Sequence, residues 1–201
     1  YVHLPLILRP TGEKLSKRAG DPSFEDLISM GYLPEAVVNY VALLGWSPGT
    51  NQEIFSLEEL VEAFDIEGIN KAPAVFDINK LSWMNGEYIR KLPLEEFHKL
   101  AVPYYKSSIQ NENVDLYKIS KILQVRTEVL TSIPEKVQFF NSLPEYDISL
   151  YIHKKMKTDP AISLTALQLA RPTLANVSDF GEESLKDCLM ALAVQNGLKT
   201  G

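Results

Sequence analysis

The chain has 201 residues, 45% hydrophobic and 23% charged, an ordinary globular composition with length for one large domain or two small ones. Its formal net charge is −6, which argues against a generically basic nucleic-acid binder, and no apolar run approaches the ~20 residues that span a membrane. A single cysteine, Cys188, and three scattered histidines, His3, His98 and His153, exclude an intramolecular disulfide and a multi-cysteine zinc site.

Residues 2–8, VHLPLIL, predict a short buried strand, and RPTG the turn after it. The next stretch is Gly12-Glu13-Lys14-Leu15-Ser16-Lys17-Arg18-Ala19-Gly20, with three cations in five residues between two glycines. Glycine admits unusual backbone conformations and close approach of a ligand. Lysine brings a mobile point charge and arginine a fixed fork of donors. The stretch reads as a phosphate-handling loop, with a solvated basic turn as the alternative.

From there the pattern is helical. Asp21 before Pro22 predicts a helix start, with a stop at Gly31. Pro34 opens a helix whose Val37, Val38, Val41 and Leu44 share a face, ending at Gly45. Ser56 and Glu59 form a capping box for the next helix. Asp77 caps another, with a turn expected at Asn85-Gly86. Pro93 begins a helix, and further helices are expected near 115–130, 134–141, 163–178 and 182–196. Short loops between these segments imply a helical bundle.

Charge is unevenly spread. Glu53, Glu58, Glu59, Glu62, Asp65 and Glu67 crowd one segment, while basic residues collect at 14–18, at Arg90-Lys91, at Lys118, Lys121 and Arg126, and at 153–157. Separate small basic patches on an acidic body suit a grip on an extended polyanion, and equally suit solvated helix faces.

The stretch LPLILRPTGEKLSKRAG resembles the second signature loop of class I aminoacyl-tRNA synthetases, here Lys14-Leu15-Ser16-Lys17-Arg18. The final arginine is similar to the glutamyl/glutaminyl subgroup. GYLPEAVVNYVALLGWS at 31–47 and NKAPAVFDINKLSWMNGEYI at 70–89 resemble the stem-contact region of bacterial-type glutamyl-tRNA synthetases, and a helical remainder fits that family. The resemblance implies a mainly α chain in three parts: residues 1–20, the tail of an α/β catalytic domain; 21–92, a small helical stem-contact domain; and 93–201, the proximal part of an all-α anticodon-binding bundle. No His-Ile-Gly-His-like signature occurs, so the chain is expected to be a fragment that is inactive by itself.

The family's chemistry gives the loop a purpose. The glutamate carboxylate attacks the α-phosphate of ATP and expels pyrophosphate, so negative charge builds on the departing phosphates. Two lysines closing over them favour the transition state over the ground state. By resemblance, Lys17 and Lys14 take this role, with Ser16 and Arg18 adding donors around the ATP phosphates. ATP is then the nucleotide substrate, Mg2+ accompanies it without a metal site in this segment, and tRNA(Glu) and L-glutamate are the other substrates. Activation in this subgroup requires bound tRNA. A monomer in the cytoplasm, with no membrane contact, completes the expectation.

For tRNA contacts the candidates are Lys80, Arg90 and Lys91 toward acceptor-stem phosphates, where charge and reach suffice. Arg126, in LQVRTEVLTSIPE, resembles the anticodon-reading arginine of the family, although Val125 stands where an acidic residue is usual. Trp46, Phe76, Trp83 and Tyr88 are expected in the core, Asp77 as a helix cap, His3 as structural, and Cys188 as buried packing. The competing readings are a free-standing helical tRNA- or protein-binding module, and a phosphate-binding enzyme of another family. The latter lacks a Walker loop, a dinucleotide glycine motif or triad spacing to support it.

Overall fold

The computed structural model describes residues 4–143 and 145–199, so His3 lies outside the described residues. The architecture is mainly helical. Two strands, β1 (Ile7–Leu8) and β2 (Ala74–Val75), pair in parallel with Ile7 opposite Ala74 and Leu8 opposite Val75. Around them run α1 (Phe24–Ser29), α2 (Pro34–Gly45), α3 (Leu57–Ala63), α4 (Ile78–Lys91), α5 (Leu94–Ser108), α6 (Leu116–Leu123) and α7 (Ile133–Val137). α8 (Pro160–Ala175) and α9 (Glu182–Gln195) follow. The chain forms two compact units, residues 1–143 and 144–201. Among the described residues no helix is long and apolar enough to cross a membrane.

In the first unit the core is continuous across the segment joining α4 to α5. Leu33, Ala36, Ile89, Phe97, Ala101, Tyr105, Ile119, Leu130, Ile133 and Val137 form one cluster. A second joins Leu27, Tyr32, Val37, Tyr40, Leu81 and Met84, and a third holds Trp46, Phe55 and Leu60. Side chains before and after residue 92 thus share one hydrophobic interior. In the second unit α8 packs on α9, but none of its described residues is buried.

Several local expectations give way to tertiary context. The strand covers only Ile7–Leu8 and is half-buried, while Leu4 and Leu6 are exposed, since β2 covers it along two residues. α1 is capped by Ser23, whose hydroxyl accepts from the Asp26 N–H while Asp26 accepts from the Ser23 N–H. Asp21 is engaged elsewhere, with Arg9. The Asp-Pro signal works instead at Asp159-Pro160, where Asp159 accepts from the Ile162 N–H at 2.8 Å and α8 starts three residues before expectation. The buried face of α2 is Ala36, Val37 and Tyr40; Val38 and Val41 are exposed. Tyr40 wins its place because its ring packs edge-on against Phe76 while its hydroxyl exchanges hydrogen bonds with the backbone of Asp77.

α4 runs straight through Asn85-Gly86. Both are buried, and the Asn85 side chain is spent on two main-chain groups, accepting from the Leu33 N–H at 2.7 Å and donating to the Glu128 carbonyl. The expected helix over 115–130 breaks after Leu123 because Gln124 turns inward. Its amide donates to the Ile89 and Leu92 carbonyls at 2.9 and 2.8 Å, capping the end of α4, where the Ile89 carbonyl also accepts from the Leu92 N–H. The segment 134–141 holds only the five-residue α7 and a 3-10 turn at Gln138–Phe140.

Candidate functional site

The loop after β1 is a short hairpin ending in a 3-10 turn. Leu8 and Lys14 pair in an antiparallel bridge, and the Leu15 N–H donates to the Ile7 carbonyl at 2.9 Å. Lys14 therefore sits on the anchored arm of the hairpin. Beyond it, Lys17–Ala19 form the 3-10 turn, with Ser16 at its start and Gly20 at its end. Gly12 and Gly20, at φ +87° and +88°, occupy the left-handed region, where a side chain would be strained. The two glycines that frame the motif are thus its two bends.

Lys14, Lys17 and Arg18 are exposed, and among the described residues no carboxylate lies within 4.0 Å of any of them. Lys17 is felt at a distance by the first turn of α1. The Asp26 carboxyl is held low chiefly by the Ser23 hydroxyl and backbone, with a smaller contribution from the Lys17 charge. These three cations on one exposed loop, Lys14 on its arm and Lys17 and Arg18 on its turn, can be neutralised by an anion brought from outside.

The frame of this loop was not read from the sequence. Arg9 sits just beyond β1 and reaches across to Asp21, its Nε donating to both carboxylate oxygens at 2.9 and 3.0 Å. Its Nη2 donates to the Ala19 carbonyl at 2.8 Å and its Nη1 approaches Glu13 at 3.4 Å. Asp21 in turn accepts from the Ser16 N–H at 2.6 Å. The hydrogen bond from Arg9, followed by that from Ser16, holds the Asp21 carboxyl below the usual carboxylate range. The signal was present: an acidic residue, Glu13 or Asp21, directly follows each framing glycine, and Arg9 stands three residues before the first.

The other candidates lie apart. Lys80, in the first turn of α4, is paired with Glu53 at 2.6 Å. Arg90 is paired with Glu87 at 2.6 Å, and its Nη1 points at the Val125 carbonyl at 3.5 Å. Lys91, at the end of α4, is exposed. Arg126, in the 3-10 turn after α6, is exposed, and its carbonyl accepts from the Lys136 ammonium at 2.7 Å. Arg126 and Lys136 border an open groove of about 360 Å³ with Ile122, Leu123, Phe139 and Phe140; the two phenylalanine rings stack at 4.4 Å. Lys136 was missed because a lone lysine in a helix carries no motif.

The remaining candidates are structural in varying degree. Trp46 is buried, Phe76 and Tyr88 half-buried, Trp83 exposed at 41% and Cys188 half-buried. Asp77 caps α4, accepting from the Asn79 N–H at 2.8 Å. The Tyr88 hydroxyl lies 2.7 Å from Asn39 Oδ1 and also reaches the Phe55 carbonyl. Burial first, and then the Glu35 charge, push it up to about 12. No group of three or more His, Cys, Asp or Glu that could hold a metal ion occurs among the described residues.

Comparison with known proteins places these features together. Residues 96–201 match the anticodon binding domain, and residues 1–83 match the catalytic domain of class I tRNA synthetases (E and Q). The chain is 54% identical over 201 residues to glutamate–tRNA ligases of Clostridium tetani (strain Massachusetts / E88) and of Clostridium acetobutylicum. It is covered completely in both alignments and spans 41% of each relative's length. Two solved structures are similar, each aligned over 98% of this chain and 42% of its own. One is a glutamate tRNA ligase from Elizabethkingia meningosepticum in complex with its amino acid, at 29% identity and TM-score 0.78. The other is a glutamate-tRNA synthetase from Elizabethkingia anophelis, at 31% identity and TM-score 0.71. With residues 96–201, over half of the chain, matching the anticodon binding domain behind the end of a class I catalytic domain, the chain belongs to the anticodon binding domain family.

Proposed function

We propose that this chain is part of a glutamate–tRNA ligase, which activates glutamate with ATP and transfers it to the 3′ end of tRNA(Glu). The observation that carries this reading is the exposed loop of Lys14, Lys17 and Arg18, unpaired with any described carboxylate, within a segment 54% identical to such ligases along its whole length. In activation, a carboxylate oxygen of glutamate bonds to the α-phosphorus and the bond to the bridging oxygen of pyrophosphate breaks. Lys17, on the turn, meets the charge that grows on the leaving pyrophosphate. Lys14, on the fixed arm, binds phosphate oxygens throughout, with Ser16 and Arg18 as further donors. Mg2+ arrives with the ATP phosphates.

The division into residues 1–20, 21–92 and 93–201 belongs to the same reading, with the middle part toward the acceptor stem and the last toward the anticodon. Lys80, Arg90 and Lys91 serve phosphate contacts and Arg126 the anticodon. Lys91 and Arg126 are the better placed of these, since Lys80 and Arg90 must first exchange Glu53 and Glu87 for phosphate. A cytoplasmic monomer is the setting. The test is ATP–pyrophosphate exchange by a full-length ligase carrying this segment. Exchange that depends on glutamate and tRNA is expected, with none from the 201-residue chain alone. Exchange by the isolated chain, or glutamate-independent exchange by the full-length protein, would overturn the reading.

A further inference from the structure

The loop presents its cations only if residues 16–20 keep their turn, and the turn's own main-chain bonds are few. Three backbone contacts close it: Ala19 N–H to the Ser16 carbonyl at 2.9 Å, Gly20 N–H to Lys17 at 3.2 Å, and Asp21 N–H to Ser16 at 3.3 Å. A short 3-10 turn with exposed bonds frays readily. Side chains at its two ends supply the rest. Arg9 commits all three of its nitrogens, Nε to Asp21, Nη2 to the Ala19 carbonyl and Nη1 to Glu13. Asp21 returns one oxygen to the Ser16 N–H. Each end of the turn is therefore gripped by a group on the opposite arm, and the grip is a half-buried ion pair.

We propose that Arg9 and Asp21 are positioning residues for this loop, fixing the turn that aims Lys17 without themselves touching the nucleotide. The inference rests on the phosphate role proposed for Lys17. Arg9 is a cation beside a cationic motif, and its engagement separates it from the motif. Its Nε and Nη2 are bonded into the loop frame and its Nη1 lies 3.4 Å from Glu13, so its charge is already met by Asp21, whereas Lys14, Lys17 and Arg18 have no carboxylate partner within 4.0 Å among the described residues. Preorganisation of this kind lowers the barrier to the degree that Lys17 would otherwise wander, and a misplacement of about 1 Å costs on the order of a hundred-fold.

The experiment is single-turnover glutamate activation by a full-length ligase carrying this segment, with tRNA bound. The variants are Arg9→Gln, Asp21→Asn, the double variant, and Arg9→Gln on a Lys17→Ala background. Each single change is expected to slow activation roughly ten- to a hundred-fold, with the KM for ATP, tRNA affinity and melting temperature nearly unchanged. The double variant is expected to lose less than the product of the two single losses, because both break the Arg9–Asp21 pair while each also releases its own end of the turn. On the Lys17→Ala background, Arg9→Gln is expected to add nothing. If Lys17→Ala leaves the rate unchanged, the phosphate reading itself fails. If Lys17→Ala slows activation but Arg9→Gln does not, or if their losses multiply, the positioning role is overturned while the phosphate reading stands. A faster Asp21→Asn variant also overturns it. Should Arg9→Gln fold poorly, Arg9→Lys keeps a charge for Asp21 yet cannot reach Ala19 and Glu13 together; a wild-type rate for that variant rejects the proposal.

Discussion

The Thr131 hydroxyl donates to the Met30 carbonyl at 2.6 Å, joining positions 101 residues apart. Beside it the Leu130 N–H donates to the Gly31 carbonyl at 3.1 Å, so the turn between α1 and α2 is seated on the backbone that follows Arg126. Gly31 has φ +94°, and a Cβ there would meet the Thr131 nitrogen at 2.7 Å. Gly31→Ala is therefore expected to combine left-handed strain with overpacking against main chain, costing about 2–4 kcal/mol. Gly12→Ala, with similar φ and open space around it, is expected to cost only ~1 kcal/mol. Urea unfolding of the two variants, compared at constant slope, measures the difference.

Alkaline pH addresses Tyr88. Its hydroxyl is raised to about 12, so its contribution to stability is complete below pH ~10, the ordinary tyrosine value, and is lost as pH climbs through the raised one. Allowing for partial solvent contact, the loss is about 1–3 kcal/mol. Tyr40 and Tyr105, both raised by burial, add to it in the same direction. Tyr88→Phe is expected to cost ~1 kcal/mol near neutrality, through the lost hydrogen bond, and to flatten the fall between pH 10 and 12. An equally steep fall in the variant would assign the transition to other groups.

For Lys17, Ala substitution in a full-length ligase is expected to slow glutamate activation by about a hundred- to a thousand-fold, about 2.7–4 kcal/mol. The melting temperature should not change, because an exposed lysine contributes little to stability. Arg at this position is expected to rescue only in part, since a rigid fork does not reproduce a mobile point charge. A loss confined to ATP affinity would show uniform binding rather than transition-state stabilisation.

Lys91 and Arg126 are expected to differ in kind. If Lys91 serves one phosphate as proposed, Lys91→Ala is expected to weaken binding of every tRNA alike and to reduce the salt slope by about one. Arg126→Ala is expected to cost about 1–3 kcal/mol against tRNA(Glu) and less against an anticodon-altered tRNA, as a base contact does. Labelled tRNA titrated at two salt concentrations separates the two. A sequence-independent loss for Arg126→Ala would reduce it to another phosphate contact.

Much of this was legible before the structure. The capping box at Ser56 and the Asp77 cap are local devices, and both form as read. The bracketing glycines announced the bends of the loop. What stayed hidden depends on partners far along the chain. Asn85-Gly86 has the composition of a turn, yet Leu33 and Glu128 hold it in mid-helix. Asp21 has the composition of a cap, yet Arg9 takes its carboxylate and leaves the capping to Ser23. A one-dimensional pattern assigns a polar side chain to its nearest backbone; the fold assigns it to whatever charge or amide arrives from elsewhere.

The unequal interiors of the two units have a practical consequence for any unfolding measurement. Residues 145–199 place no described side chain in a sealed interior, so their amides are guarded by helix bonds alone and should exchange with deuterated water through small openings. Those of Phe97, Ala101 and Ile133, whose side chains are fully buried in the core, should wait for cooperative unfolding. Both tryptophans, Trp46 and Trp83, belong to the first unit, and their fluorescence is blind to α8 and α9. Far-ultraviolet circular dichroism sees every helix. The two optical curves are therefore expected to part company, with ellipticity falling first, and a single all-or-none free energy would describe only the tryptophan-bearing unit.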